Sequence, residues 1–401
     1  MTTPEPAATE QEPKERVAHP FRTLRQLVEH VSGKSLTTVS AEEAGLAEAL
    51  PFPFLAIVGQ QEMKLALLLG LINPKVGGIL LIGPRGTAKT TAVRSLLDLL
   101  PQVERSICHY GCLPEDIESG GIDAVCPDCA RKYAEGQPLT APDRVRLVEL
   151  PLNTRLEDVV GGIDERAAIH ERLRLRRGIL AQADRNLLYI DEINLLSDEI
   201  VDAILDAAAQ GIYTVRRGPL SATYRARFVL IGSMNPEEGR LRPQIQDRFG
   251  LRVIVHGLEK PDERLEAYHR VQAYLTNPRQ MIAQYSEEIT AVSREIQSAQ
   301  KRLNDVTLSD KIAKLAIKMI QKLGIDSLRA EITWFEAARA YSAADGRVDI
   351  STADLKAVAP MALRLRRSRF MQEYFKGQEV EEEELKNLLE RFDVKRKQTA
   401  K

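Results

Sequence analysis

One lysine and two threonines follow a glycine turn in the segment LLIGPRGTAKTT, residues 80–91. An apolar run enters the turn and an apolar-periodic segment leaves it, which is the pattern of a strand, a glycine-rich loop and a helix. Backbone N–H groups of such a loop, together with the positive end of the helix, bind phosphates. We therefore predict a nucleotide-binding P-loop in which Lys89 contacts the β- and γ-phosphates and the Thr90 hydroxyl is a ligand of Mg²⁺. The loop residues expected to contact the nucleotide are Gly83, Pro84, Arg85, Gly86, Thr87, Ala88, Lys89, Thr90 and Thr91.

Ala88 departs from this pattern, which places a second glycine before the lysine. Because a methyl group disfavours the left-handed conformation, we expect Ala88 to stay in the right-handed helical region. The alternative for the whole segment is a glycine turn that opens an ordinary βα unit.

Two acids end a second apolar run about 100 residues later, in the segment LLYIDE at 187–192. This is the Walker B arrangement, in which Asp191 holds the Mg²⁺ shell and Glu192 polarises the attacking water. The alternative is a strand that ends in two solvated acids.

Three later polar residues are further candidates for the site. Asn235 follows an apolar strand and is predicted to hold the lytic water, although Asn-Pro also forms ordinary turns. Arg248 is a candidate arginine finger, and its alternative is a solvated or Asp-paired surface arginine. Arg329 lies in the first turn of a predicted helix that Ser327 can cap, from which it can point at the nucleotide.

The segment that precedes the P-loop is a candidate adenine site. Gly59 and Gln60 open an apolar-sided helix that we expect to be buried. A loop and helix at this position commonly pack on the adenine, so Val58 and Gly59 are expected to contact it. The alternative is a plain core helix.

Four cysteines form two closely spaced pairs in a Gly/Asp/Glu-rich segment, separated by thirteen residues: Cys108, Cys112, Cys126 and Cys129. This spacing resembles a zinc ribbon or knuckle, and His109 is an alternative ligand. Four thiolates leave no open coordination position, so the ion would be structural. The alternatives are four reduced thiols or a redox-labile pair in a surface insert.

The 401 residues are 44% hydrophobic and 28% charged, which fits a globular protein of two or three domains. A net charge of −1 gives no basic field for nucleic acid. No apolar run has the length of a membrane span, and the Pro/Glu/Thr-rich start lacks the apolar core of a signal peptide. We expect a cytoplasmic protein whose cysteines are thiols or metal ligands.

The chain divides into segments of different character. The predicted divisions are a disordered tail at 1–20, an α/β nucleotide-binding domain at 21–255 with a Cys-rich insert at about 101–141, a helical linker or insert at 256–310, a helical lid at 311–375 and a charged helix or tail at 376–401. The smaller predicted features are an amphipathic helix at 21–32, hairpins near 161–180 and 213–226, and a long exposed helix around 286–303.

Five segments together resemble AAA+ ATPases and, more closely, the ATPase (I-type) subunits of magnesium chelatase. They are VGQQEMKLALLLGLINPKVGG, GPRGTAKTTAVRSLLDLLP, LLYIDEINLLSDEIVDAILDAAAQG, ARFVLIGSMNPEEGRLRPQIQDRFG and SLRAEI with EAARAYSAADGR. The resemblance implies an α/β AAA+ P-loop domain, a parallel sheet flanked by helices with β-hairpin inserts, followed by an all-α C-terminal lid. It also implies sensor 1 at Asn235, a trans-acting finger at Arg248 and sensor 2 at Arg329.

The same resemblance implies a function. It is that of an ATP- and Mg²⁺-dependent motor subunit in a homo-oligomeric ring, expected to be a hexamer. This motor powers Mg²⁺ insertion into protoporphyrin IX in (bacterio)chlorophyll biosynthesis. The implied partners are an integrin-domain AAA+-like chelatase subunit and a porphyrin-binding large subunit. The alternatives are a cobalt-chelatase-type motor, a MoxR-like chaperone that remodels a protein partner, and an MCM-like DNA motor using Arg216 and Arg217, against which the net charge of −1 counts.

Overall fold

Short runs of branched and aromatic apolar residues form a five-stranded sheet in which all neighbouring strands are parallel. From one edge to the other the strands are β11 (Leu251–Ile254), β1 (Ile79–Ile82), β10 (Val229–Met234), β7 (Leu187–Ile190) and β4 (Leu147–Glu149). The sheet confirms the predicted α/β class with a parallel sheet.

The computed structural model describes residues 50–163 and 175–367. The chain divides into two units, Met1–Leu50 and Pro51–Lys401, and the sheet and its surrounding helices belong to the second. Three predicted features lie outside the described residues: the tail at 1–20, the helix at 21–32 and the charged segment at 376–401.

Alternate side chains of the central strands face two separate hydrophobic clusters. In β1, Ile79 and Leu81 belong to one cluster, whereas Leu80 and Ile82 belong to the other. β7 divides in the same way. Since both faces of a parallel sheet are covered, its strands are continuous apolar runs rather than alternating ones.

Helices cover both faces of the sheet. In chain order they are α1 (Gln61–Ile72), α2 (Lys89–Ser95), α5 (Leu156–Val160), α6 (Ile179–Gln182), α7 (Asp198–Gln210) and α8 (Pro243–Arg248). α1 buries residues on nearly all of its sides, as its composition predicted.

Two antiparallel hairpins extend from the sheet. Their strands are β5 (Gly161–Ile163) with β6 (Leu175–Arg177), and β8 (Ile212–Arg217) with β9 (Leu220–Arg225). Both predicted hairpins are thereby confirmed, the first by the pairing of its two strands.

The Cys-rich segment lies between two antiparallel strands at its base. Its elements are β2 (Gln102–Ser106), α3 (Pro114–Gly120), α4 (Pro127–Ala134) and β3 (Thr140–Arg144). Ile117 of α3 and Cys129 of α4 belong to one small hydrophobic cluster that includes all four cysteines.

The C-terminal part of the described chain is helical. Its helices are α9 (Pro261–Thr276), α10 (Pro278–Arg302), α11 (Asp310–Lys322), α12 (Leu328–Ala344) and α13 (Thr352–Leu363). Trp334 of α12 is buried, and its indole N–H donates to the carbonyl oxygen of Leu355 in α13 at 2.8 Å. Within residues 50–163 and 175–367, none of the helices combines the length and apolar character that crossing a bilayer requires.

The long helix predicted around 286–303 is present, but it is exposed only in part. α10 covers this segment, but Ile289, Ile296 and Ala299 are buried in the main hydrophobic cluster. The Gln300 side chain donates to the carbonyl oxygen of Leu71 at the end of α1. α10 therefore packs on the nucleotide-binding domain along a narrow apolar stripe.

Candidate nucleotide-binding site

Three neighbouring strands bring the predicted site residues together. The P-loop follows β1, Asp191 and Glu192 follow β7, and Asn235 follows β10. Because β1, β10 and β7 are adjacent and parallel, their carboxyl ends lie side by side. The carboxyl end of a parallel sheet is where such sheets bind ligands. The segments that motif spacing identified thus converge on one place.

Lys89 is folded into the P-loop. Its Nζ donates to the carbonyl oxygens of Gly83 and Pro84, each at 2.8 Å. Burial lowers the pKa of the Lys89 ammonium below its usual value, while the nearby carboxylates of Asp191 and Glu192 oppose that shift. The ammonium is therefore held within the loop by neutral oxygens.

Oxygen donors surround the position predicted for Mg²⁺. The Thr90 hydroxyl donates to Asp191 Oδ2 at 3.2 Å, and the Tyr189 hydroxyl donates to Asp191 Oδ1 at 2.9 Å. Ser233 Oγ also donates to Asp191 Oδ1. Burial raises the pKa of the Tyr189 phenol above its usual range, so the phenol stays neutral. Hydroxyl and carboxylate oxygens are the ligands that Mg²⁺ prefers, so this set fits the ion.

Glu192 is held on two sides. Its backbone adopts φ +50° and its N–H donates to Ser233 Oγ at 3.2 Å. Its carboxylate accepts from the Arg85 guanidinium at 3.3 Å, and the same Nη2 lies 2.5 Å from Glu238. Sequence reasoning placed Arg85 only among the phosphate contacts and missed this pairing with the catalytic candidate.

Asn235 lies beside a cavity of about 240 Å³. Its Oδ1 accepts from the Glu237 N–H at 3.3 Å and its Nδ2 donates to Glu238 at 3.2 Å, so the side chain also makes the turn that Asn-Pro indicated. The cavity is lined by Arg85, Gly86, Thr87, Ala88, Lys89, Thr90, Thr91, Asp191, Glu192, Ser233, Met234 and Asn235. It has the residues to hold a triphosphate.

A second cavity of about 240 Å³ adjoins the first and is mostly apolar. It is lined by Phe52, Ala56, Ile57, Val58, Gln60, Gly86, Thr87, Ala88, Thr91, Gly257, Leu258, Ala267 and Val271. The two cavities share four P-loop residues, as adenine and phosphate sites of one nucleotide would. Gly59 is not a lining residue. Its backbone has φ +63°, and a Cβ there would lie 2.7 Å from the Leu258 side chain.

The expectation for Ala88 was wrong. Its backbone is left-handed, with φ +64° and ψ +22°, at the residue that precedes α2. The chain turns at this point from the loop into the helix, and that requirement outweighs the cost of about 1 kcal/mol for a non-glycine residue there. The usual glycine of the pattern would adopt this conformation without that cost.

Arg248 and Arg329 lie away from the P-loop of their own chain. Arg248 pairs with Asp206 and, at 3.9 Å, with Asp202 of α7, whereas Arg329 lies 3.6 Å from Asp247. Both arginines line a different cavity of about 790 Å³. Its other walls include Gly77, Asn186 and Phe228. These residues precede β1, β7 and β10, so this cavity lies at the amino end of the sheet, opposite the P-loop.

Two family models match parts of this chain. A model described as "Magnesium chelatase, subunit ChlI" matches residues 161–258. A model described as an AAA lid domain matches residues 313–388.

Curated relatives and one solved structure extend the similarity. A "Magnesium-chelatase subunit ChlI homolog" of Methanocaldococcus jannaschii is 43% identical over 323 residues, which are 80% of this chain and 87% of the relative. The "Magnesium-chelatase 38 kDa subunit" of Acidiphilium rubrum is 42% identical over 320 residues, 79% of this chain and 91% of the relative. A candidate ATPase of Cytophaga hutchinsonii of known structure is 20% identical with a TM-score of 0.50, covers 78% of this chain and 84% of its own, and shares the fold.

Proposed function

The chain belongs to the magnesium chelatase I-subunit family of AAA+ ATPases, and on that premise we propose that it is the ATP-hydrolysing motor subunit of a magnesium chelatase. It would power the insertion of Mg²⁺ into protoporphyrin IX by partner subunits in (bacterio)chlorophyll biosynthesis. The observation that carries the proposal is the meeting of Lys89, Thr90, Asp191 and Glu192 around one cavity in a chain with this ancestry. The identity to chelatase subunits favours this function over that of a MoxR-like chaperone.

We assign one task to each of six residues that line the cavity. Lys89 and the loop N–H groups bind and orient the phosphates, and Thr90 and Asp191 hold Mg²⁺, which neutralises phosphate charge when it is bound. Glu192 accepts a proton from the attacking water and Asn235 orients that water. The Arg85 guanidinium, paired with Glu192 and Glu238, holds the base beside the loop.

The two remaining arginines act on a neighbouring copy. Arg248 and Arg329 lie at the amino end of the sheet, whereas their own P-loop lies at the carboxyl end. The Arg329 side chain is 56% exposed. In a head-to-tail assembly the carboxyl end of the sheet in one copy faces the amino end of the sheet in the next, and such contacts form a ring when the rotation between copies closes. We propose that Arg248 is the finger and Arg329 is sensor 2, both supplied in trans to a ring that we expect to be a hexamer.

The proposed partners are an integrin-domain AAA+-like subunit and a porphyrin-binding large subunit. The relatives are themselves named as subunits, which supports a multi-subunit enzyme. Metal insertion would take place in the partners, and this chain would drive them by ATP hydrolysis.

A chelation assay tests the proposal. Purified candidate partners, chosen from integrin-domain and porphyrin-binding proteins encoded beside this chain, are mixed with protoporphyrin IX, Mg²⁺ and ATP. Fluorescence of Mg-protoporphyrin should appear only when this protein and ATP are both present. Hydrolysis of ATP without metallation would contradict the chelatase assignment. In a parallel assay with Co²⁺ in place of Mg²⁺, insertion of Co²⁺ by a mixture that does not insert Mg²⁺ would contradict it as well.

A further inference from the structure

The four cysteine sulfurs form one compact cluster in the insert. Cys108 Sγ lies 3.7 Å from Cys112 Sγ and 3.5 Å from Cys126 Sγ, and all four Sγ atoms lie within 4.8 Å of one another. A tetrahedral ion with bonds of about 2.3 Å to sulfur separates its ligands by about 3.8 Å. A disulfide would bring two sulfurs to about 2.0 Å. The measured separations match the first arrangement.

Backbone groups already support the sulfurs as acceptors. The Tyr110 N–H lies 3.2 Å from Cys108 Sγ, and the Cys126 N–H lies 3.4 Å from Cys112 Sγ. Hydrogen bonds of this kind orient metal ligands and offset the negative charge of thiolates. Cys112 and Cys129 are buried, so the cluster is shielded from water on one side.

Apart from two cysteines, the buried apolar side chains of the insert are Leu113 and Leu139. Its hydrophobic cluster contains three buried residues, Cys112, Cys129 and Leu139, with Ile117 and Val125 packed beside them. A segment of this size with so little apolar burial needs a disulfide or a metal to hold one structure. None of the described cysteines is in a disulfide. The fold of the insert therefore calls for an ion at the cluster.

We propose that Cys108, Cys112, Cys126 and Cys129 bind one Zn²⁺ as four thiolates and that this ion holds the insert together. The pair spacings of three and two intervening residues are those of structural zinc sites. Each thiol gives up its proton to the solvent as it binds, so four S–H bonds break, four Zn–S bonds form and four protons are released to water without oxidation or reduction. All four positions are filled by sulfur, so the ion is not catalytic.

The insert contacts the base of the hairpin β8–β9 through ion pairs and hydrogen bonds. Asp116 pairs with Arg225 at 3.3 Å and with Arg227 at 3.5 Å. The two guanidiniums also donate to carbonyl oxygens of the insert, Arg225 to Ala124 and Arg227 to Gly111. Arg225 ends β9, and Arg227 leads into β10, the strand that positions Asn235. We infer that the zinc-held insert fixes the hairpin and the start of this strand.

Elemental analysis of the full-length protein, purified without a metal-binding tag, tests the site. We expect one zinc per chain, and a Cys126→Ser variant should lose it. His109→Gln is the matched control and should keep the zinc, because His109 is a neighbour of the cluster but not a ligand. Three results would each overturn the proposal. The first is iron in place of zinc at one ion per chain, and the second is a folded protein that holds no metal and has four titratable thiols. The third is zinc that is lost in His109→Gln and kept in Cys126→Ser.

A second measurement covers the case in which Cys126→Ser fails to fold. Wild-type protein freed of metal and given Co²⁺ alone should develop the visible bands of tetrahedral cobalt thiolate, and their absence would refute a four-sulfur site. Hydrogen exchange of residues 212–225 should rise when zinc is removed. It should also rise in Asp116→Asn with zinc still bound. Unchanged exchange in both cases would refute the inference that the insert fixes the hairpin, but not the zinc site itself.

Discussion

At the scale of single residues, the site depends on a few side chains at the ends of three strands. Lys89, Thr90, Asp191 and Glu192 were predicted from local motifs, and the structure brings all four to one cavity. The pairing of Arg85 with Glu192 could not be predicted in this way. The two residues are 107 positions apart and meet only because β1 and β7 lie in the same sheet.

Glu192→Gln should bind ATP with nearly wild-type affinity and lose turnover. The amide keeps the shape of the side chain but cannot accept the proton from water, and loss of a general base costs about 10²–10⁴ in rate. Steady-state ATPase assays and binding of a fluorescent ATP analogue measure the two properties. Glu237→Gln, an exposed acid in the same region, is the control and should turn over normally. Turnover retained in Glu192→Gln would remove it as the base.

Ala88→Gly should raise the free energy of unfolding slightly, by about 0.5 kcal/mol. Relief of the left-handed strain of about 1 kcal/mol exceeds the entropy that glycine adds to the unfolded chain. Thermal unfolding of the nucleotide-free protein measures the change. Ala92→Gly in the right-handed part of α2 is the control and should lose about 1 kcal/mol or more. A loss of similar size in Ala88→Gly would show that the left-handed conformation is not strained.

At the scale of secondary-structure elements, the apolar runs predicted β1, β7, β10 and the two hairpins, whereas β11 and the paired strands β2 and β3 were not predicted. The helix predicted around 286–303 was expected to be exposed because Glu, Gln and Arg are frequent in that segment. Its buried residues Met281, Ile289 and Ile296 recur at intervals of eight and seven, a stripe too narrow for composition to reveal.

A hub of charges joins β11 to the end of the lid. Asp247 Oδ1 accepts from Arg366 at 2.8 Å and from Arg252 at 3.4 Å, and both guanidiniums are fully buried. Asp247 Oδ2 accepts from the Ser327 hydroxyl at 3.0 Å and lies near Arg329. Burial, helped by the positive charge of Arg366, lowers the pKa of Arg252 to about 10. One carboxylate thus balances two buried positive charges.

Asp247→Asn should lower the free energy of unfolding by about 3 kcal/mol, because two buried guanidiniums lose their counter-charge. Chemical denaturation measures the loss. Asp345→Asn is the matched control, since its carboxylate pairs with Arg347 at an exposed position, and it should cost less than about 1 kcal/mol. Equal effects of the two substitutions would contradict the role of Asp247 as a hub.

At the scale of the whole molecule, the nucleotide cavity lies at the carboxyl end of the sheet, and Arg248 and Arg329 lie at its amino end. The sequence could identify both arginines as candidates but not the side of the molecule on which each lies, because that depends on the packing of the lid on the sheet. Under the proposed function, a second copy supplies the arginines that complete the site. An arginine supplied in trans can be worth about 10³–10⁵ in rate, so a dilute monomer should hydrolyse ATP slowly.

Mixing two inactive variants tests this account most directly. Arg248→Ala lacks the finger but has an intact cavity, whereas Glu192→Gln lacks the base but keeps the finger. Each should hydrolyse ATP at a small fraction of the wild-type rate when alone. Glu237→Gln, an exposed substitution, is the control that leaves both groups in place. The account predicts that ATPase activity returns when the two variants are mixed, in proportion to the mixed interfaces formed. Activity that stays at the sum of the separate variants while mixed assemblies form would contradict it.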